Sequence, residues 1–258
     1  MFVSTRCLFK NFALTWLSVT NKEQYTSVDK YPKLSEKLIK ELGLEKDVEW
    51  SMSAFLLECE GKRALFDAGF FDKNNNIKGI TERLEELKIS PEQIDYIFIT
   101  HLHWDHIEGL LDENDNIVYK NAKIYISKEE YNSKLKRVRP DKAILWGKIK
   151  KICEKQIIQF DFEGNLPLGI KPIKAFGHTP GHTCYRKDDL LIIGDLIHGQ
   201  KIQFKHPEIS SVYDNDEDMS IESRKKILKY AAENKLLIAG HHLQSSNSGM
   251  YREFYKSK

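Results

Sequence analysis

Asp95-Tyr96-Ile97-Phe98-Ile99 runs directly into Thr100-His101-Leu102-His103-Trp104-Asp105-His106, and this junction decides how the chain is read. An apolar strand ends and at once presents three imidazoles and a carboxylate. Clustered polar groups are costly to bury unless they are paired. Imidazole and carboxylate are the side chains that hold a borderline divalent ion such as zinc. In extended or tightly turning backbone, His101 and His103 project to one side because their spacing is two. Asp105 and His106 then lie beyond the turn and can face a second ion, so one segment can serve two metals.

The same arrangement recurs downstream. Ile173-Lys174-Ala175-Phe176 leads into Gly177-His178-Thr179-Pro180-Gly181-His182-Thr183, Leu190-Leu191-Ile192-Ile193 into Gly194-Asp195, and Leu236-Leu237-Ile238-Ala239 into Gly240-His241-His242-Leu243. Glycine lets the backbone turn sharply where each apolar run stops. Strand ends gathered at one edge of a sheet are where an α/β protein places its chemistry. Seven of the nine histidines fall in these clusters, and only His198 and His206 lie outside them.

These motifs, in this order, resemble the metallo-β-lactamase superfamily, from about Ser53 to Leu243. The nearer resemblance is to the subgroup of N-acyl-homoserine lactonases and methyl-parathion-hydrolase-like enzymes. It rests on Leu191-Ile192-Ile193-Gly194-Asp195-Leu196-Ile197-His198, on Gln203 to Glu208, and on the Arg224-bearing helix leading to Ala239-Gly240-His241-His242-Leu243. The resemblance implies an αββα sandwich: two mixed β-sheets packed face to face, helices on the outer faces, and the site at one edge. It makes His101, His103 and His182 the ligands of one ion, and Asp105, His106 and His242 those of the other, with Asp195 bridging. His242 is preferred to His241 because Leu243 after it matches the subgroup's His-Leu pair. His178 is then a residue of the turn or a support for a ligand. His198 either lines the pocket or bonds a backbone carbonyl. The equivalent of Asp67 supports the ligands rather than binding metal.

Two departures stand out. Glu108 occupies a position usually held by a small residue, and Gln244-Ser245-Ser246-Asn247-Ser248-Gly249 replaces a Pro-Phe-Pro-Gly stretch beside the substrate pocket.

Length and composition suit one metallo-β-lactamase-like domain over residues 1–258, with residues 1–47 an accessory strand and helix, because motifs spread from 101 to 242 must converge. A net charge of +2, from 40 basic and 38 acidic residues, gives no strong field for nucleic acid, and none is expected as a partner. The run Lys134-Leu135-Lys136-Arg137-Val138-Arg139 reads as a solvated helix end. Cys7, Cys59, Cys153 and Cys184 are widely spaced, and a chain this long needs no disulfide staples. Cys184 reads as a core thiol. No run approaches the roughly 20 apolar residues of a membrane span. Phe12 to Val19 reads as a first β-strand rather than a signal peptide, since no small-x-small cleavage site follows. A cytoplasmic protein acting on a small molecule, with a homodimer left open, is the expectation.

Met52 to Glu58 and Arg63 to Asp67 read as a hairpin turning at Gly61. Helical stripes are predicted around Leu34, Leu38 and Leu42, closed by Gly43; from Ile80 to Lys88; from Ile144 to Cys153; and after Ser220 as N-cap, with Ile221, Ile227, Leu228, Ala231 and Ala232 inward. Short strands are expected at Ala122 to Ile126 and Gln156 to Phe160.

No Gly-x-Ser-x-Gly, Gly-x-Gly-x-x-Gly or Walker loop occurs. The implied activity is that of a dinuclear zinc hydrolase, with iron or manganese as alternatives at either position. A metal-bound hydroxide attacks a lactone or ester carbonyl, and phosphotriesters are a side substrate. Asp105 and Asp195 are the catalytic carboxylates of that reading. The alternatives are an iron dioxygenase-type oxidoreductase or a thioesterase on the same fold.

Overall fold

The run Phe12–Ser18 is buried at every position and pairs along its whole length with Ser53–Cys59, as a near-continuous apolar strand should. The computed structural model describes residues 5–19, 24–44, 47–72, 77, 79–133, 142, 144–244, 246 and 248–251. The basic run 134–139 lies outside them, as do residues 245 and 247 of the polar loop.

In chain order the strands are β1 (Arg6–Leu8), β2 (Phe12–Ser18), β3 (Gln24–Ser27), β4 (Asp47–Trp50), β5 (Ser53–Cys59), β6 (Lys62–Phe66), β7 (Tyr96–Phe98), β8 (Lys123–Ser127), β9 (Ile157–Phe160), β10 (Lys171–Lys174), β11 (Thr183–Lys187), β12 (Leu190–Ile192), β13 (Leu237–Ala239) and β14 (Met250–Tyr251). The chain divides into two compact units: residues 1–22, 52–132 and 138–163, and residues 23–51, 133–137 and 164–258.

The first unit holds the seven-stranded mixed sheet β1-β2-β5-β6-β7-β8-β9. The hairpin is where the sequence places it: Cys59 pairs with Lys62 across the two-residue turn Glu60-Gly61. Both turn residues have positive φ (53° and 72°), which matches the twist of the flanking strands. Strands β6 and β7 then run parallel, with Phe66 opposite Phe98, so Asp67 and Thr100 leave the sheet at the same end. The helices Ile80–Glu86 and Leu145–Ile152 belong to this unit, close to their predicted bounds. Phe12–Ser18 is preceded by β1, so it is the second strand and not the first.

The second unit holds the five-stranded sheet β10-β11-β12-β13-β14 and the pair β3-β4. Strands β12 and β13 are parallel, Ile192 opposite Ala239, so Gly194-Asp195 and Gly240-His241-His242 emerge side by side. Strand β11 is antiparallel to β12, which brings its start, after His182, to the same end. The helix Glu36–Glu41, capped by Ser35 and followed by Gly43 at φ 61°, packs Leu38 and Leu42 against a cluster of Tyr31, Leu44, Val48, Ile202 and Ile209.

The long helix begins at Glu217, with Asp216 as N-cap accepting from Met219 N at 3.0 Å. Ser220 is therefore inside the helix and buried rather than its cap, and the carboxylate cap also suits the positive helix end. Arg224, not Ile221, takes the buried central position, together with Ile227, Leu228 and Ala231. Gly177 lies against this helix at φ +127°, where an added Cβ would meet Ser220 N at 2.2 Å. Gly177→Ala is expected to destabilise the fold by about 3 kcal/mol or more, because the clash is with backbone and the conformation is strained for an L side chain. An unshifted denaturation midpoint would contradict this.

Candidate metal centre

In the first unit, Asp67 is the fixed point. It sits at φ 64°, an unusual conformation for a residue with a side chain, directly after β6. Its carboxylate accepts from Thr100 N and from Thr100 Oγ1, both at 2.8 Å, and from His106 Nδ1 at 2.7 Å. Asp67 thus ties the end of β7 to His106 and places the proton of His106 on Nδ1. The Nε2 lone pair is left for a cation, the arrangement that supports metal-bound imidazoles. This hydrogen bond is the one a supporting Asp67 would make.

His101 and His103 come together as their spacing requires, with His101 Nε2 and His103 Nδ1 2.9 Å apart. Asp105 Oδ2 lies 3.9 Å from His106 Nε2, and both residues are buried. Their segment is held by Ala68 N donating to His106 O at 2.8 Å and by Leu102 N donating to the buried Glu130 at 2.8 Å. Glu108, the departure noted in the sequence, is buried and ion-paired with Lys142.

In the second unit, Asp195 is the focus. Its Oδ2 lies 3.1 Å from His242 Nε2, 3.4 Å from His198 Nε2 and 3.5 Å from His178 Nε2. Asp195, His198 and His242 offer ligand atoms all within 4.8 Å of one another. The hydrogen bonds on the far sides of two rings decide where their protons are. His242 Nδ1 faces Ser51 O at 2.8 Å, and a carbonyl only accepts, so Nδ1 carries the proton and Nε2 a lone pair. His178 Nδ1 faces Asp214 Oδ1 at 3.1 Å. Burial alone would raise the pKa of Asp214; the His178 hydrogen bond and the Arg224 charge outweigh it and hold the carboxyl well below the usual range. An ionised Asp214 only accepts, so His178 Nδ1 is the donor and its Nε2 is also a lone pair. Burial pushes the His178 pKa down to about 4, which keeps the ring neutral near pH 7. Two imidazole lone pairs therefore converge on one carboxylate oxygen. Acceptors facing an acceptor are held apart in energy unless a cation sits among them, so this donor set fits a divalent metal.

His182 does not belong to that set. Its Nδ1 donates to Ala175 O at 3.1 Å, and its Nε2 accepts from Asp195 N at 3.0 Å. Both ring nitrogens are committed to backbone, and no lone pair remains for an ion. These contacts favour His178 over His182, the ligand expected from the sequence. His178, read from sequence as a turn or supporting residue, faces the Asp214 carboxylate with Nδ1 and Asp195 with Nε2. His241 donates its backbone N–H to Gly194 O at 3.2 Å, and its ring stands perpendicular to that of His242.

Four rings lie nearly parallel around the Asp195 carboxylate. His198 stacks on His242 (5.0 Å between centroids) and on Tyr213 (5.2 Å), while Trp50 stacks on His242 (4.6 Å). His198 lines this group, and its Nδ1 has no hydrogen-bond partner among the described residues, so the carbonyl-bonded alternative does not hold. Sequence reasoning missed Trp50, Tyr213 and Asp214, which lie in no motif. All four cysteines are free, and Cys184 is a buried core thiol as read. Among the described residues no helix is long and apolar enough to cross a membrane.

The family model of the Metallo-beta-lactamase superfamily matches residues 49–242. Among curated proteins, the chain is 36% identical over 113 residues to a ribonuclease Z of Nanoarchaeum equitans, covering 44% of this chain and 28% of that protein. It is 30% identical over 164 residues to a probable metallo-hydrolase of Methanocaldococcus jannaschii, covering 63% of this chain and 64% of that one. The chain thus spans less than two thirds of either relative. Among solved structures it is similar to AidC, described as a dizinc quorum-quenching lactonase, with TM-score 0.84, 24% identity, and 99% and 94% of the two chains covered.

Proposed function

The chain belongs to the metallo-β-lactamase superfamily, and from that premise we propose that it is a dinuclear zinc hydrolase acting on a lactone or related ester. The observation that carries the reading is the convergence of the His178 and His242 lone pairs on Asp195 Oδ2. The proposed ligands of one ion are His101, His103 and His178. Those of the other would be Asp105, His106 and His242, with Asp195 proposed as a ligand of both. His178 replaces His182 in the set because His182 has no nitrogen to offer. The likeness to a dizinc lactonase supports the fold of this reading, and the shared motif order supports its metal.

When bound, a pair of zinc ions lowers the pKa of water and polarises the substrate oxygen. The protein's own groups do the rest. Asp67 and Ser51 hold His106 and His242 in the tautomer that leaves Nε2 free. Asp105, buried beside His106, would be the carboxylate placed to hold a water and take its proton. The stacked rings of Trp50, His242, His198 and Tyr213 brace the two imidazoles that face Asp195. The same reading makes residues 1–258 one functional domain.

A second reading follows from the ribonuclease Z relative: phosphodiester hydrolysis by the same centre. That relative reopens nucleic acid as a partner, which the near-neutral charge had argued against. The chemistry is shared, since both the tetrahedral intermediate and the phosphoryl transition state gather charge on an oxygen that a metal stabilises.

The test is kcat/KM across short- and long-chain acyl lactones, an aryl ester, a phosphotriester, a structured RNA, a β-lactam and a glutathione thioester. The proposal expects a lactone or small ester to lead, with phosphotriesters weaker. Best turnover of RNA would favour the second reading, and best turnover of the β-lactam or thioester would overturn both.

A further inference from the structure

Arg224 is fully buried, and its guanidinium is saturated by groups of the second unit. Nε donates to Leu196 O at 2.8 Å, and one Nη donates to Pro207 O at 2.9 Å and Ile209 O at 3.3 Å. The other Nη donates to Asp214 Oδ2 at 3.0 Å and Ser220 Oγ at 3.4 Å. Ser211 N also donates to Asp214 Oδ2 at 3.3 Å, while Asp214 Oδ1 faces His178 Nδ1. A line of groups therefore runs Arg224, Asp214, His178, Asp195. Burying an ion pair is a poor way to gain stability, because desolvation offsets the attraction and an apolar pair of similar volume packs as well. Its two-sided geometry has a sharper use.

We propose that Asp214, clamped by Arg224, is the positioning residue that fixes the proton of His178 on Nδ1 and so keeps Nε2 as a lone pair directed at Asp195. The ligand role of that lone pair rests on the hydrolase reading above; the proton's location does not. Arg224 fixes which carboxylate oxygen does what. Oδ2 receives the guanidinium and the Ser211 N–H, and Oδ1 is left to accept from His178. Arg224 also ties the carbonyl after Asp195 (Leu196) to the loop carrying Asp214, so the two ends of the line keep their spacing.

The arrangement makes an isosteric swap informative. In Asp214→Asn the amide oxygen must face the Arg224 and Ser211 donors, which turns the amide NH2 toward His178. His178 Nδ1 then has to accept, and its proton moves to Nε2. An Asp→Asn change that keeps the shape and inverts the tautomer is known to disable a carboxylate-imidazole pair. Volume and all three hydrogen bonds are retained, and the one loss is the charge opposite Arg224.

The experiment uses the full chain, 15N-labelled at histidine. Long-range 1H–15N spectra of metal-free wild-type protein should show His178 protonated at Nδ1, and those of Asp214→Asn should show it protonated at Nε2. Zinc affinity, measured by chelator competition, should fall about 10–100-fold for one ion in the variant, the usual scale for loss of a ligand's supporting partner. The thermal midpoint should fall, because the swap removes the counter-charge of the buried Arg224. An unchanged tautomer in the variant, or Nε2 protonation in the wild type, would overturn the inference; the wild-type spectrum decides even if the variant does not fold. Wild-type protein with the expected tautomer that binds no zinc would instead overturn the hydrolase reading and leave the positioning role standing.

Discussion

Replacing His178 with Ala is expected to remove one of two metal ions and lower kcat/KM by roughly a thousandfold or more, the scale on which loss of an electrophilic stabiliser is felt. Replacing His182 with Ala is expected to keep both ions. The contrast comes from hydrogen bonds alone. His182 is committed through Nδ1 to Ala175 O and through Nε2 to Asp195 N, whereas His178 has Nδ1 engaged by Asp214 and Nε2 directed at Asp195. His182→Ala would still cost about 1–3 kcal/mol of stability, because it strands a buried carbonyl and a buried N–H. Metal analysis of the two variants, each checked for folding, reads the difference. Loss of an ion from His182→Ala with retention in His178→Ala would reverse the assignment.

The second large effect concerns the adjacent pair at the end of β13. His242→Ala is expected to lose the other ion and activity on a similar scale, roughly a thousandfold. Its ring is held by Ser51 O and stacked on Trp50, with Nε2 3.1 Å from Asp195 Oδ2. His241→Ala should keep the metal and the backbone ties of that residue: its N–H to Gly194 O, and its carbonyl accepting from Ser51 Oγ at 3.1 Å. The opposite pattern, with His241→Ala inactive and metal-depleted, would place the ligand one residue earlier.

The elements most legible from sequence were those whose cause is local. The β5–β6 hairpin announces itself through Gly61 and the apolar runs on either side. The strand before Thr100 and the spacing of His101 and His103 fix which way those imidazoles point. Asp67 was legible through the family resemblance and its place at the end of the hairpin, whereas the parallel pairing of β6 with β7 that sets it beside Thr100 was not. What stayed hidden depends on partners far along the chain. Gly177-His178 and Gly181-His182 look equivalent as text, and the choice between them is made by Ala175 O, Asp195 N and Asp214. The helix start was misplaced because Asp216 and Ser220 are both good caps, and the close approach of Gly177 to Ser220 N appears only in three dimensions. Arg224 broke the apolar stripe expected for its helix, since the carbonyls of Leu196, Pro207 and Ile209 that make its burial tolerable lie 15 or more residues away. Trp50 and Tyr213 carry no motif, and only stacking on His242 and His198 reveals them.

The measurement that bears most directly on the central claim is the number of metal ions per chain at saturation. Elemental analysis of the purified protein, after equilibration with zinc and removal of excess, should give about two ions per chain, since the proposed donors exceed what one tetrahedral site can use. Asp105→Ala should lower the count to about one. A single ion in the wild type, unchanged by Asp105→Ala, would contradict a dinuclear centre.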